Sequence, residues 1–197
     1  MSNEIPTQIT EKNGKKELRV DFGDQTFSLP FKNIGGRMVG FLDISGQVSL
    51  IEHSAEAMVR LLQKSGVEFD TILNPVSKSN ALSHAIAVRW AESHPELTHT
   101  VVARKSSDPS NTVRANYRSV TTDSDQTLSL TPADIEYVHG KRILLVDDVF
   151  GGGGTTKALQ ELARQAGAEI VAHAVIAVEQ GSSFPEDLYY LFELPVL

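Results

Sequence analysis

The 197-residue chain contains no cysteine, which excludes disulfide bridges and thiolate metal sites and fits a reducing compartment. It has no run approaching the ~18 apolar residues that a membrane-spanning helix needs. Its first ten residues, MSNEIPTQIT, lack the basic start and apolar core of a secretory signal. Lys and Arg together number 18 against 25 Asp and Glu, whereas nucleic-acid-binding domains usually carry excess basic residues. We therefore expect a soluble, cytoplasmic protein that binds neither membranes nor nucleic acids.

The histidines also lack the spacing by which His side chains bind a metal ion. They are His53, His84, His94, His99, His139 and His173. The net charge of -7 does not exclude a small anionic ligand, because backbone N–H groups can hold a phosphate without excess positive charge.

The chain alternates strand and helix patterns. The first ~30 residues alternate apolar and polar positions around a Gly23-Asp24 turn, which predicts a β-hairpin. Strand patterns follow near residues 71–73, 100–103, 117–121, 127–130, 143–146 and 170–178, and helix patterns near 48–62, 81–90 and 155–166. This order predicts an α/β fold with a mostly parallel central sheet flanked by helices.

We expect one domain, since the chain is too short for two comfortable cores. Within it we expect an N-terminal hairpin and hood (1–46), an α/β core (47–180) and a C-terminal tail (181–197).

The stretch RILLVDDVFGGGGTT, residues 142–156, places two acids and four glycines directly after an apolar strand. In a parallel sheet, ligands bind beyond the carboxyl ends of the central strands. The glycines allow a ligand to approach the backbone, and the helix that follows points unpaired N–H groups at the loop, which predicts a phosphate site. Asp147 and Asp148 would repel a phosphate, so we expect them to bind ribose hydroxyls or a divalent cation.

Two familiar phosphate-binding loops do not fit this stretch. A Walker A loop ends in Gly-Lys-Ser/Thr, whereas this loop ends Gly154-Thr155-Thr156-Lys157. A dinucleotide-binding fingerprint requires Gly at the position of Thr156, and its acidic residue follows the loop instead of preceding it.

The segment VDDVFGGGGT, residues 146–155, resembles the 5-phosphoribosyl-1-pyrophosphate (PRPP) signature of the type I phosphoribosyltransferases. The resemblance spans roughly residues 37–180 and is strongest at this loop. It implies that Asp147 and Asp148 contact the ribose. It also implies a 5′-phosphate site formed by Gly151, Gly152, Gly153, Gly154, Thr155 and Thr156. Gly152 departs from the family pattern, which usually has a hydroxyl residue there.

A second matching segment follows the first core strand, where the family binds pyrophosphate. It consists of Ser77, Lys78, Ser79 and Asn80. The segment lacks the Ser-Arg-Gly of the family pattern, although Lys78 supplies a positive charge.

Arg104 and Lys105 resemble the basic pair that opens the flexible catalytic loop of this family, and the polar segment 105–116 matches that loop as a predicted lid. The resemblance implies that both side chains contact pyrophosphate and act in catalysis together with the two aspartates. Arg114 and Tyr117 lie in or beside the lid, either as ligand contacts or as surface and packing residues. Adenine enzymes often have a Glu in this loop, but Val120 and Thr121 stand at that place.

For the base, FLDIS at residues 41–45 resembles the Phe-Arg-Asp-Ile-Ser/Thr segment of adenine phosphoribosyltransferases, in which the Phe stacks on the purine. The resemblance implies that Phe41, with Val149 and Phe150, binds the base. An ordinary core role is the alternative for Phe41. Leu42 replaces the Arg of that subfamily.

Gly151 stands where hypoxanthine and guanine enzymes carry an Asp, which favours adenine or xanthine as the base. Glu179-Gln180 stands where xanthine enzymes tend to show Glu-Lys. Adenine is therefore the first expectation, and xanthine or another 6-substituted purine is the second.

The resemblance implies transfer of the phosphoribosyl group from PRPP to a purine in purine salvage, by a homodimer. It also implies Mg²⁺ as cofactor, held mainly by the ligand, with Asp147 and Asp148 as candidate protein ligands. A PRPP-binding regulatory protein without efficient turnover is the rival from another functional class, and a generic phosphosugar-binding protein is a third.

Overall fold

The computed structural model describes residues 5–106, 108–119 and 124–197. Within these ranges the chain forms three β-sheets and four helices. The helices are α1 (Val48–Lys64), α2 (Ser79–Ala91), α3 (Pro132–Val138) and α4 (Gly154–Gln165). None of these helices combines the length and the apolar composition that crossing a lipid bilayer requires.

A five-stranded sheet forms the centre of the protein. Its order is β11 (Leu188–Leu194), β10 (Glu169–Glu179), β9 (Arg142–Phe150), β5 (Thr71–Pro75) and β6 (Val101–Ala103). Every neighbouring pair is parallel. Residues 143–146 of the middle strand β9 are buried, as expected for a strand covered on both faces. The predicted α/β fold with a parallel central sheet is confirmed.

The side chains on the two faces of β9 pack into two separate apolar cores. Leu144 and Val146 pack with residues of α1 and α2 in one core, whereas Ile143 and Leu145 pack with residues of α4 in the other. Because side chains alternate along a strand, one continuous apolar run supplies both cores.

An antiparallel hairpin of β7 (Val113–Ser119) and β8 (Ser124–Leu130) completes the α4 side. This hairpin corrects the predicted lid over residues 105–116. Val113 and Ala115 are buried in the same core as α4, so the last part of the expected lid is a packed strand. The polar composition of the segment concealed this short alternation of apolar residues. Val120 and Thr121 lie outside the described residues.

The N-terminal region forms a four-stranded antiparallel sheet. Its strands, in spatial order, are β1 (Thr7–Lys12), β2 (Lys15–Asp21), β3 (Thr26–Ile34) and β4 (Arg37–Gly40). The predicted hairpin is β2 with β3, in which Leu18 lies opposite Leu29 and both join the α1 core. The sequence analysis did not predict β1, because nearly all of its side chains are exposed and no apolar alternation marks it.

The sequence analysis also missed β11, which lies in the segment 181–197 that we expected to be a tail. Its residues, LYYLFEL, are mostly buried, and it pairs with β10 from His173 opposite Leu188 to Glu179 opposite Leu194. This pairing brings the ends of β10 and β11 together at the carboxyl edge of the sheet.

Candidate active site

A cavity of about 600 Å³ lies beyond the carboxyl ends of β5 and β9, where a parallel sheet binds its ligands. Its size is that of a small-molecule site. The wall includes every residue predicted to bind ribose or 5′-phosphate: Asp147, Asp148, Gly151, Gly152, Gly153, Gly154, Thr155 and Thr156. The structure therefore brings the whole predicted loop to a single concave surface.

The loop between β9 and α4 has the backbone geometry of an anion site. Gly153 is the N-cap residue of α4 and has φ of 72°, in the left-handed region that favours glycine. Within the described residues no side chain caps this helix, so the N–H groups of its first turn have no side-chain acceptor. Gly154, Thr155 and Thr156, which form that turn, line the cavity. A phosphate is the ligand that such a helix start favours.

Asp147 is held by two donors in the cavity wall. Ser79 Oγ donates to Asp147 Oδ1 at 2.6 Å, and the backbone N–H of Asp148 donates to the same oxygen at 2.9 Å. Burial raises the pKa of Asp147 to about 7, and the neighbouring charge of Asp148 adds to the rise. The carboxyl group, fixed by these hydrogen bonds, is suited to bind a hydroxyl group or a cation. Either ligand would offset the free-energy cost of burying the carboxylate charge.

Asp148 is subject to two opposed effects. Burial raises the pKa of its carboxyl, while the positive charge of Lys78 acts to lower it. The backbone N–H of Val149 donates to Asp148 Oδ1 at 2.9 Å and orients the side chain. The two adjacent acids therefore form a polar, partly desolvated pair with one lysine nearby.

The segment after β5 contributes Ser77, Lys78 and Ser79 to the cavity. Lys78 is the residue that precedes α2, and its Nζ lies 3.7 Å from Asp43 Oδ1. Asn80 is not brought to the cavity, because its Oδ1 accepts a hydrogen bond from Asn74 Nδ2 at 2.8 Å inside the turn between β5 and α2. Three of the four residues of this segment therefore line the cavity, and their contact with pyrophosphate stays a prediction.

The structure separates the predicted basic pair. Lys105 lines the cavity, whereas Arg104 Nη1 donates to Asp134 Oδ2 at 2.8 Å. The same carboxylate oxygen accepts from the backbone N–H of Thr131, the N-cap residue of α3, at 3.0 Å. Arg104 therefore links the segment after β6 to the start of α3. Sequence reasoning missed this contact because the two side chains are 30 residues apart.

The residues predicted to bind the base, Phe41, Val149 and Phe150, all line the cavity. Phe41 is half-buried, and Lys32 Nζ lies 3.6 Å from the centre of its ring. A cation on the ring face is a favourable contact. The exposure of Phe41 to the cavity distinguishes it from the enclosed core residues around it.

Other lining residues were not assigned to the base site by the sequence. They are Asn33, Ile34, Gly35, Gly40, Leu42, Pro75, Val76, Tyr117, Glu179 and Leu194. Burial and the charge of Asp147 raise the pKa of Tyr117. Apart from Leu42, which belongs to the FLDIS segment, no motif joins these residues, because they lie on separate strands and loops. Two signals were available for Glu179: it directly follows a predicted strand at the edge of the sheet where ligands bind, and with Gln180 it stands where xanthine enzymes tend to show Glu-Lys.

Within the described ranges, no three His, Asp or Glu side chains are grouped so that they could hold a metal ion. Asp147 and Asp148 are hard oxygen donors on the cavity wall. Mg²⁺ commonly uses one or two protein carboxylates together with substrate phosphates and water. The aspartate pair therefore fits a magnesium ion that is held mainly by a ligand.

Comparison with known proteins agrees with this geometry. A family model described as a phosphoribosyl transferase domain matches residues 49–195. The chain is similar in structure to adenine phosphoribosyltransferase from Thermoanaerobacter pseudethanolicus, with 18% identity, a TM-score of 0.59, and coverage of 86% of this chain and 88% of that chain. It is also similar to adenine phosphoribosyltransferase from Rhodothermus marinus, with 22% identity, a TM-score of 0.59, and coverage of 84% of this chain and 87% of that chain.

A curated adenine phosphoribosyltransferase from Kineococcus radiotolerans is 54% identical over 37 residues, which cover 19% of this chain and 20% of that relative. This match spans only about a fifth of either protein, and the structural likenesses at low identity establish the fold. The family model, in contrast, extends from the start of α1 to the end of β11, and the chain belongs to the phosphoribosyl transferase domain family.

Proposed function

We propose that this protein transfers the 5-phosphoribosyl group of PRPP to a purine base, with adenine as the first substrate and AMP and pyrophosphate as products. The supporting observation is the cavity itself, which combines the paired aspartates, the glycine loop at the start of α4 and an aromatic side chain. The printed descriptions of similar proteins point to the same substrates. They include the Giardia lamblia enzyme complexed with 9-deazaadenine and the Trypanosoma brucei enzyme in complex with AMP, pyrophosphate and ribose-5-phosphate.

In this proposal the ribose-phosphate moiety binds along residues 147–156. Asp147 and Asp148 accept hydrogen bonds from the ribose hydroxyls, because carboxylates accept strongly from hydroxyl donors. The N–H groups of the loop and of the first turn of α4 hold the 5′-phosphate. Thr155 and Thr156 add hydroxyl donors to the same group.

The reaction displaces pyrophosphate from C1 of PRPP by a nitrogen of the base. Its transition state is expected to resemble an oxocarbenium ion, as in other glycosyl transfers. Negative charge builds up on the departing pyrophosphate, and Lys78 and Lys105, both on the cavity wall, stabilise that charge. Phe41 orients the flat base by stacking on it.

We include Mg²⁺ in the proposal as a cofactor. When bound, this ion would neutralise negative charge on pyrophosphate. Asp147 and Asp148 would be the protein residues that hold it. A cytoplasmic homodimer is also part of the proposal, by analogy with the family. Light scattering of the purified protein at several concentrations tests the dimer.

A PRPP-binding regulatory protein is the second candidate, and one observation favours it. Arg104, predicted to stabilise pyrophosphate, pairs instead with Asp134 at 2.8 Å. Among the described residues this leaves Lys78 and Lys105 as the cationic side chains that line the cavity. A weaker pyrophosphate site would bind PRPP without rapid turnover.

Incubation of the protein with PRPP, Mg²⁺ and, in turn, adenine, xanthine, hypoxanthine and guanine separates the candidates. We expect AMP and pyrophosphate in the adenine reaction. Xanthosine monophosphate formed faster than AMP would replace adenine by xanthine. PRPP binding by calorimetry with no nucleotide from any base would support the regulatory candidate, and no PRPP binding would contradict both.

A further inference from the structure

Glu179 places a carboxylate in the cavity from a strand other than the one that carries the aspartate pair. It is the last residue of β10 and lines the cavity. In the parallel pairing of β10 with β9, Val178 lies opposite Phe150, so Glu179 and Gly151 follow a matched pair. A Cβ atom on Gly151 would lie only 2.9 Å from the Glu179 carboxyl carbon and from Oε2. The carboxylate of Glu179 therefore occupies the space that a side chain at position 151 would fill.

The carboxylate of Glu179 has no hydrogen bond or ion pair with any of the described residues, unlike its neighbours in the cavity. Asp147 accepts from Ser79 and Asp148 accepts from Val149. Glu179 is nevertheless half-buried, and burial raises the pKa of its carboxyl. A partly desolvated carboxylate without a partner is costly unless a ligand completes it.

Glu179 lies at the border between the proposed base site and the proposed phosphate loop. Gly151, whose Cβ position the carboxylate occupies, directly follows Phe150, which is proposed to bind the base, and begins the loop proposed to hold the 5′-phosphate. Leu194 lies opposite Glu179 on β11 and also lines the cavity. A carboxylate repels a phosphate, and Asp147 and Asp148 accept from the ribose hydroxyls in the proposed function, so we assign the donor that meets Glu179 to the base.

A purine base carries a proton on its imidazole ring, and that proton must leave when the other ring nitrogen becomes bonded to ribose. We propose that Glu179 is the acceptor of this proton. The assignment rests on the proposed function and extends it to a named residue.

The step balances as follows. The lone pair of N9 forms the bond to C1, while the bond between C1 and the pyrophosphate oxygen breaks and its electrons leave with pyrophosphate. The proton on N7 passes to a carboxylate oxygen of Glu179, which later releases it to water. A base with a raised pKa is better matched to this transfer at neutral pH than an ordinary carboxylate.

Glu179→Gln tests the assignment, because the amide keeps the size of the side chain and removes the proton acceptor. Glu169→Gln is the matched control, since Glu169 begins the same strand and is exposed at its other end. With adenine and saturating PRPP, we expect kcat of E179Q to fall about 100-fold, within the range of general acid–base catalysis. PRPP affinity, measured by calorimetry, should stay within about twofold of wild type. E169Q should behave as wild type.

The pH profile of kcat provides the second readout. The other titratable side chains that line the cavity in the described ranges are Lys78, Lys105, Tyr117, Asp147 and Asp148. Protonation of the aspartate pair should weaken PRPP binding. Measuring kcat at saturating PRPP therefore limits the contribution of these two residues to the pH profile. Wild-type kcat should fall at acidic pH, and this acidic limb should be absent from E179Q. Glu179→Asp, which keeps a shorter acceptor, should retain the limb and have an intermediate kcat.

Three results would overturn the assignment in distinguishable ways. A kcat of E179Q within threefold of wild type, with an unchanged profile, contradicts the role of Glu179 alone. Loss of PRPP binding in both E179Q and E179D shows that the residue is structural. Absence of turnover by the wild type with every purine rejects the proposed function, and the role of Glu179 with it.

Discussion

The two ends of the cavity are built in different ways. The end proposed to bind ribose-phosphate lies along one continuous stretch, residues 147–156, in which acids, glycines and a helix start follow one another. The end proposed to bind the base combines Val149 and Phe150 of that stretch with Phe41, Glu179 and Leu194 from other segments, and the last two lie opposite each other on β10 and β11. The first end should therefore act as a unit on PRPP, whereas single changes at the second should alter the base reaction and leave PRPP binding intact.

The largest effect is expected from Asp147→Asn combined with Asp148→Asn. The amides keep the shape of the acids but remove two charged acceptors, each worth about 1.5–3 kcal/mol in a hydrogen bond. PRPP affinity should fall at least ~100-fold, since about 1.4 kcal/mol corresponds to a factor of ten. Calorimetry with PRPP and Mg²⁺ measures this. The exposed Glu193→Gln on β11 is the control, and an unchanged affinity in the double variant would show that the acids are misassigned.

A smaller loss is expected from Gly153→Ala. Gly153 has φ of 72°, and an added Cβ would lie 3.3 Å from Phe150 Cζ. Gly66→Ala is the matched control, because Gly66 has φ of 68° with open space around it. Left-handed strain of about 1–2 kcal/mol should lower the melting temperature of both variants. Only Gly153→Ala should also weaken PRPP binding, by about tenfold. Equal PRPP affinity in the two variants would contradict a phosphate site at this loop.

Phe41→Leu sharpens the comparison at the base end. Loss of the aromatic face should raise KM for adenine about fivefold, in line with the ~0.5–1.5 kcal/mol of an aromatic pair. KM for PRPP should not change. Phe31→Leu provides the control. Phe31 lies nearby on β3, opposite Gly40, but its side chain is not part of the described cavity wall. A rise in KM for PRPP, or none for adenine, would remove Phe41 from the base site.

The smallest effect concerns stability and pH. Burial raises the pKa of Asp147 from an ordinary 3.8 to about 7, so ionising this group costs folding free energy. The contribution of Asp147 to the unfolding free energy should fall as pH rises from about 4 to about 7, and then level off. Asp147→Asn removes that fall. Its melting temperature without ligand should exceed that of the wild type by a few degrees at pH 8 and match it near pH 4. A lower melting temperature at pH 8 would contradict the buried charge.

The strands and helices of the core were predictable because their signals are local. The apolar run of residues 143–146 marks a strand buried on both faces, and the apolar positions of residues 48–62 recur at helical spacing. β1 was not predictable, since its exposed side chains leave no periodic pattern. β11 has an apolar pattern, but its place as a sheet edge depends on pairing with β10.

By itself, the sequence determined the loop of residues 147–156, because two acids, four glycines and a helix start act through neighbouring backbone groups. Only the tertiary structure decided which side chains join them. It directed Arg104 to Asp134, joined Ser79 to Asp147, and set Glu179 against Gly151. These partners are far apart along the chain, and a charged or polar side chain takes the partner that folding brings within hydrogen-bonding distance. The local pattern of apolar and polar residues does not indicate which distant side chains become partners.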